Sequence, residues 1–316
     1  MKKTFVTDLT SGGRVDDLFV VASKQLRDFA KGQFLSMVLG DKTGTVNAVV
    51  WDDAEATSRS LKEGDLVRVV GAVGTYNGGP QIKVERIGYY DKKQADLSDF
   101  IESLENTPEV EQQLRHLLAT VADPWLRKLM QTYFDDEAFM ARFRSGTAAK
   151  AWHHAFRGGL LKHTTELVEL AAAVAPLFPE VNRDLVVTAA FLHDLGKIEE
   201  MEAGLAIDYT TAGRLVGHIV IGNQMMLDRT RGIPGFPAGL QLQLQHLILS
   251  HQGELEFASP VVPKTPEAML LHKLDDLNAQ MRGILKVVQQ ARERGQEWSD
   301  YIRILERQLW TGPPAV

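Results

Sequence analysis

The hydrophobic period of this chain changes once, near Tyr90, and that change fixes what the two sides of it can fold into. Before it lie five short runs rich in β-branched and aromatic residues: Leu18-Phe-Val-Val-Ala-Ser, Phe34-Leu-Ser-Met-Val-Leu, Val46-Asn-Ala-Val-Val-Trp51, Leu66-Val-Arg-Val-Val-Gly-Ala-Val and Gln81-Ile-Lys-Val-Glu-Arg-Ile. Such runs favour strands, and turn chemistry at Asp41-Lys-Thr-Gly44 and Asn77-Gly-Gly-Pro80 separates them. Between the third and fourth runs, Asp53 to Leu61 reads as a short helix or loop. After the polar stretch Asp91-Lys-Lys-Gln-Ala-Asp, apolar residues recur at helical spacing from Leu97 almost to the end, interrupted at Pro108, Pro124, Pro176, Pro179, Pro234 and Pro237. At 316 residues the chain exceeds a usual single domain. The expectation is a multidomain α+β protein: a five-stranded β-barrel over residues 1–92, a helical connector over 93–150, and an all-α bundle over 151–312.

Five strands with a helical interruption after the third fit a small barrel of the OB type. The segment also resembles the OB-fold nucleic-acid-binding family in having an aromatic strand residue, Phe34, then the Asp41-Lys-Thr-Gly44 hairpin and a strand ending at Trp51. Phe34, Trp51 and Tyr76 offer faces on which bases stack, and every base has such a face to return. The competing reading puts the same rings inside the barrel as core.

Composition narrows the chemistry. There is no cysteine, so disulfides, thiolate metal sites and cysteine nucleophiles are all excluded. A metal ion here must be held by His, Asp and Glu, a donor set suited to Mn, Mg, Fe, Co or Zn. All nine histidines fall between His116 and His272. The net charge of −6 divides into +1 over residues 1–90 and −7 over the remainder, so the acidic excess accompanies the histidines. It argues against a protein that coats nucleic acid wholesale, though not against one basic groove. No apolar run reaches the roughly 18 residues that span a bilayer, and the start lacks the apolar core of a signal peptide, so a cytoplasmic protein is expected.

Within Ala189-Ala-Phe-Leu-His-Asp-Leu-Gly-Lys197, the adjacent His193 and Asp194 put an imidazole beside a carboxylate able to bridge two ions. Further candidates sit on successive helical stretches: His163 after Gly159-Leu-Leu-Lys, His218 after Gly217, His251 before Gly253, and Asp275 in Leu271-His-Lys-Leu-Asp-Asp-Leu-Asn278. The helices are expected over 184–197, 215–228, 240–251 and 266–289. A histidine on an apolar helix is more often a hydrogen-bonded core residue than a ligand, and it is the ordered set that points to metal.

His163, His193-Asp194 with Gly196-Lys197, and Asp275 resemble the ordered signature of the HD superfamily of metal-dependent phosphohydrolases, and His218 and His251 resemble its two-metal members. The barrel ahead of this region, Trp152-His-His-Ala-Phe-Arg-Gly-Gly-Leu-Leu-Lys-His163, Tyr209-Thr, Gly217-His-Ile, Leu249-Ser-His-Gln-Gly253 and Ala258-Ser-Pro-Val together resemble the YhaM-type 3′→5′ exoribonucleases. That resemblance implies trimming of single-stranded RNA to nucleoside 5′-monophosphates with two divalent ions, Mn²⁺ first, with Mg²⁺, Co²⁺, Fe²⁺ or Zn²⁺ also compatible. It implies one ion on His163, His193, Asp194 and Asp275 and a second on Asp194, His218 and His251, with Asp194 and Lys197 serving catalysis. Gln252 and Asn278 stand where the family usually has His and Asp.

Lys197 reads either as a phosphate clamp or as a solvated cation at a helix end, and His154 and Arg157 as substrate contacts, Arg157 alternatively pairing with a carboxylate. His246 is placed near the site but outside the ligand set. Single-stranded DNA stays open as a substrate because stacking does not read the sugar, and homo-oligomerisation stays open too. Two other readings compete: a phosphohydrolase of free or cyclic nucleotides, and a nucleic-acid-binding protein whose catalysis has weakened.

Overall fold

A computed structural model describes residues 2–30, 32–76, 78–150, 152, 154–205 and 207–313; Asn77 of the expected turn lies outside them. The chain divides into two compact units, one of Met1–Ser103 with Gly204–Ala206 and one of Leu104–Ala203 with Ile207–Val316.

The first unit is a closed barrel in the order β1-β2-β3-β5-β4, formed by β1 (Arg14–Phe29), β2 (Gly32–Asp41), β3 (Gly44–Val50), β4 (Leu66–Tyr76) and β5 (Gly79–Tyr89). Helix α1 (Ala54–Ser60) separates β3 from β4. The long β1 pairs antiparallel with both β2 and β4, and an irregularity between Val21 and Ser23 lets it bend from one partner to the other. A parallel pairing of β3 with β5 shuts the barrel and leaves no open edge. Strand alternation then sorts the side chains. Leu35, Met37 and Leu39 of β2 point inward and join Phe19, Val46, Val69 and Ile82 in the core, while Phe34 faces outward.

Asp41 stitches the N-terminal segment to the β2–β3 hairpin. It accepts the backbone N–H of Val6 at 2.8 Å, the N–H of Thr43 at 2.9 Å and the Thr43 hydroxyl at 2.6 Å, and its Oδ2 lies 3.1 Å from Lys2 Nζ. Both partners of that ion pair are buried, with Lys2 Nζ 3.7 Å from the centroid of the Phe19 ring.

The second unit is mostly helical: α2 (Thr107–Leu118), α3 (Pro124–Phe134), α4 (Glu137–Ser145), α5 (Gly159–Val174), α6 (Arg183–Leu192), α7 (Lys197–Glu200), α8 (Thr211–Val216), α9 (His218–Arg231), α10 (Ala238–Ser250) and α11 (Pro266–Glu293). A short antiparallel hairpin, β6 (Met201–Ala203) with β7 (Ile207–Tyr209), interrupts what the sequence suggests is all-α. The helices α2 to α4 contribute Leu114, Leu126, Leu129, Phe139 and Phe143 to the same core as Leu160, Leu167, Val186 and Phe191 of α5 and α6. Around that core α5 packs on α2, α4, α6 and α11, so the helices carrying His163, His193 and Asp275 rest on one framework. Among the described residues no helix is long and apolar enough to cross a membrane.

Two expected helices are broken. The stretch 184–197 stops at Leu192, and 215–228 is cut at Gly217, whose φ of 79° an L side chain rarely adopts. Both breaks turn a histidine into a helix-terminal residue, His193 as the C-cap of α6 and His218 as the first residue of α9.

Replacing Asp41 with Ala removes the carboxylate that opposes the burial of Lys2 and the acceptor of the Val6 and Thr43 N–H groups, and breaking a buried pair costs about 3–5 kcal/mol. Urea unfolding of the full chain should show the barrel's transition at clearly lower denaturant, and an unchanged midpoint would contradict the role given to this pair.

Candidate metal centre

Five elements bring the six expected ligands to one point. His163 comes from the first turns of α5, His193 and Asp194 from the end of α6, His218 from the start of α9, His251 from the C-cap of α10 and Asp275 from α11. His163 Nε2 lies 3.2 Å from His193 Nε2, 3.5 Å from Asp194 Oδ2 and 3.2 Å from Asp275 Oδ1. On the other side of the same carboxylate, Asp194 Oδ1 lies 3.4 Å from His218 Nε2 and 3.7 Å from His251 Nε2. Two donor groups able to hold a metal ion result, His163-His193-Asp194 and Asp194-His218-His251, and they share Asp194.

Close backbone approach makes this possible. A Cβ added to Gly196 would sit 2.0 Å from the His218 carbonyl oxygen, so only glycine lets the start of α9 come this near the turn after Asp194.

Each imidazole is held from behind. Nδ1–H of His193 donates to the Ala190 carbonyl at 2.9 Å, that of His251 to the Ile248 carbonyl at 2.7 Å, that of His218 to Glu200 Oε1 at 2.9 Å and that of His163 to Asn278 Oδ1 at 3.1 Å. With Nδ1 engaged, every Nε2 is turned toward Asp194, the arrangement in which histidine ligates a cation. Two atoms of the cluster, Asp194 Oδ1 and His218 Nε2, are buried and have no hydrogen-bond partner among the described residues. Buried polar atoms left unpaired are costly, and a divalent cation satisfies a carboxylate oxygen and an imidazole nitrogen together. The residues therefore fit divalent ions, with nitrogen and oxygen donors only.

The electrostatics are those of a negative pair of carboxylates among imidazoles. Burial alone would raise Asp194 and Asp275, but Lys197 and His193 beside the former, and His193 and His163 beside the latter, hold both well below the usual carboxylate range. Burial would lower His163, yet its bonds to Asp194 and Asp275 pull it up to about 9. Burial and the neighbouring His193 push His251 down to about 3, leaving it neutral.

Other expected residues take different places. Lys197 opens α7 rather than closing a helix, and its Nζ lies 2.6 Å from Asp194 Oδ2, so it is not a solvated helix-end cation. His154 is turned toward Glu166 Oε2 at 3.1 Å. Arg157 is exposed, and no carboxylate pairs with it among the described residues. Gln252 sits beside the second group, with its Nε2 3.4 Å from His251 Nε2. His246 lies on α10 and accepts the Lys264 N–H at 2.9 Å, outside both donor groups.

On the barrel, Phe34 and Trp51 are not core. Their ring centroids are 4.8 Å apart, and Phe29, absent from the sequence-based set, packs edge-on to Trp51 at 5.2 Å and to Phe34 at 6.1 Å. Trp51 and Phe29 are 43% and 41% exposed, so the trio forms an aromatic surface. Tyr76, 57% exposed at the end of β4, has no ring contact with them among the described residues. The pleat could have disclosed Phe29, which pairs with Gly32 across the β1–β2 turn.

Comparison with known proteins agrees with both halves. Residues 19–88 match the OB-fold nucleic acid binding domain and residues 160–280 the HD domain. The 3′-5′ exoribonuclease YhaM of Bacillus subtilis is 30% identical over 307 residues, covering 96% of each chain, and that of Geobacillus sp. is 30% identical over 96% of this chain and 93% of its own. A crystallised domain of replication protein A from Methanococcus maripaludis is 26% identical, covers 29% of this chain and 98% of its own, and superposes with a TM-score of 0.25.

Because His163 holds a proton below about pH 9 when no ion is bound, an ion that takes its Nε2 lone pair must displace that proton. Affinity is therefore fullest above that pH and falls as pH drops through it. Calorimetric titration with Mn²⁺ should show weakening of up to about tenfold per pH unit below pH 9, with proton release to the buffer. Affinity independent of pH between about 6.5 and 8.5 would contradict this protonation state.

Proposed function

Given that the chain belongs to the family of the YhaM 3′-5′ exoribonucleases, we propose that it trims single-stranded RNA from the 3′ end, releasing nucleoside 5′-monophosphates. The observation that carries this reading is the shared carboxylate of Asp194, with one oxygen facing His163, His193 and Lys197 and the other, buried and unpaired, facing His218 and His251. His163, His193, Asp194 and Asp275 would hold one divalent ion and Asp194, His218 and His251 a second, with Mn²⁺ the expected species. When bound, such ions stabilise charge developing on phosphoryl oxygens and acidify water.

The chain's own groups do the rest. Asp194, kept ionised, presents acceptors to both donor groups at once. Lys197, whose ammonium burial would disfavour but whose neighbour Asp194 keeps charged, would neutralise a phosphate oxygen beside that carboxylate. Arg157, free of carboxylate partners among the described residues, is available to a phosphate. Water adds to the terminal phosphorus, the bond to the 3′-oxygen of the preceding nucleotide breaks, and that oxygen takes up a proton.

The barrel supplies grip. An active site that touches one or two nucleotides holds a polymer weakly, whereas a tethered binding domain raises the effective concentration of the 3′ end. Phe34 and Trp51, with Phe29, give a stacking surface that tolerates any base. This is why RNA is favoured over a free or cyclic nucleotide as substrate, and single-stranded DNA is the comparison to make. The same reading puts the protein in the cytoplasm as part of the proposal.

Two experiments test the reading. With 5′-labelled single-stranded RNA and Mn²⁺, the protein should give a ladder shortening from the 3′ end, abolished by chelator and by Asp194→Ala; activity indifferent to that substitution would overturn the ion assignment. Trp51→Ala should weaken binding of a long strand by about 1–3 kcal/mol while leaving hydrolysis of a small phosphodiester unchanged. An unchanged KM on long RNA would remove the aromatic surface from the account.

A further inference from the structure

A buried polar chain runs from α11 to the back of His163, and each link dictates the orientation of the next. Glu166, one turn beyond His163 on α5, is ringed by donors: His154 Nε2 at 3.1 Å, Arg282 Nε at 2.8 Å and Nη2 at 2.6 Å, Lys162 Nζ at 3.3 Å and Asn278 Nδ2 at 3.2 Å. An ionised carboxylate only accepts, so Asn278 must turn its amide NH₂ to Glu166 and its Oδ1 to His163 Nδ1, 3.1 Å away. A carbonyl oxygen only accepts as well. The Nδ1 of His163 must therefore carry a proton, and its Nε2 is the nitrogen offered to Asp194 and Asp275.

The other three imidazoles need no such help. His193 and His251 donate to backbone carbonyls and His218 to a carboxylate, and none of these acceptors can reverse its role. A side-chain amide can, because a half-turn exchanges its oxygen for its NH₂. A reversed Asn278 would present N–H to Nδ1 and, once the imidazole is neutral, leave its one remaining proton on Nε2, the nitrogen that a cation needs free.

We propose that Glu166 and Asn278 are positioning residues for the first ion: the carboxylate fixes the amide, the amide fixes the His163 tautomer, and the tautomer presents Nε2 to the cation. This rests on the reading of the cluster as an ion site. Arg282, Lys162 and His154 act one step further out, keeping Glu166 ionised and its oxygens aimed.

The test is Mn²⁺ titration calorimetry on the full-length protein, following the binding that Asp275→Ala removes, together with thermal unfolding in chelator. Asn278→Leu keeps volume and removes the acceptor; it should lower that affinity about 10–100-fold with little change in the melting temperature of the ion-free protein. Asn278→Asp restores an oxygen that can only accept from His163, and should recover most of the loss. Binding by Asn278→Leu within about twofold of the parent, or no recovery by Asn278→Asp, overturns the proposal. Should Asn278→Leu fail to fold, Glu166→Gln decides by the same measurement, because its amide permits Asn278 to reverse: weaker binding supports the chain of orientation and unchanged binding overturns it. A parent protein with no Asp194-dependent Mn²⁺ binding would defeat the ion reading and this inference with it, whereas Asp194-dependent binding indifferent to Asn278 and Glu166 defeats only the inference.

Discussion

The carboxylate of Asp194 is the constraint on which the helical unit depends. A buried carboxylate is tolerated only when its oxygens are matched, and here the two oxygens are matched by different groups. Oδ2 faces His163, His193 and the ammonium of Lys197, while Oδ1 faces the Nε2 atoms of His218 and His251 without a hydrogen bond among the described residues. An all-protein solution would have supplied Oδ1 with a donor. Leaving it beside two imidazole nitrogens makes sense as half of a cation site.

Much of the local architecture follows from bringing five elements to that carboxylate. Helix α6 ends just before it, which frees Asp194 from the helix body. Gly196 gives up a side chain so that the backbone at His218 can close in, and Gly217, at positive φ, redirects the chain so that α9 begins with His218. Acceptors behind each imidazole then convert a loose group of histidines into one in which every Nε2 points the same way. In three cases the acceptor is a single-role group. In the fourth, His163, a donor-ringed glutamate is needed to make an amide behave as one.

The coarse plan is legible because local preference survives translation into structure: short β-branched and aromatic runs separated by turns before Tyr90 form a closed barrel, and helical spacing after it forms a bundle. The six ligand candidates were legible because an ordered His, His-Asp, His, His, Asp series on successive helices is hard to produce by chance, and the structure brings all six together. Helix termini were less legible, since the residues around His193 and before His218 keep helical apolar spacing across the breaks, and a glycine such as Gly217 is compatible with a continuing helix until its φ of 79° is seen. Nor was Glu166. On the sequence it is one more acidic residue on a helix, and its fork to Arg282 spans 116 positions. Phe29 is harder to see because it lies six residues beyond Ser23, where the apolar run of β1 stops, and its ring neighbours Phe34 and Trp51 come from β2 and the end of β3. Glu200 was overlooked because a helix-end carboxylate is ordinarily solvated, whereas here it accepts from both the backbone and the imidazole of His218.

Whether one carboxylate serves two ions can be seen by anomalous diffraction from crystals equilibrated with Mn²⁺. Two anomalous peaks are expected, one at each oxygen of Asp194, the first near His163, His193 and Asp275 and the second near His218 and His251. A single peak that leaves Asp194 Oδ1 without an ion, or peaks that avoid Asp194 altogether, would contradict the shared carboxylate.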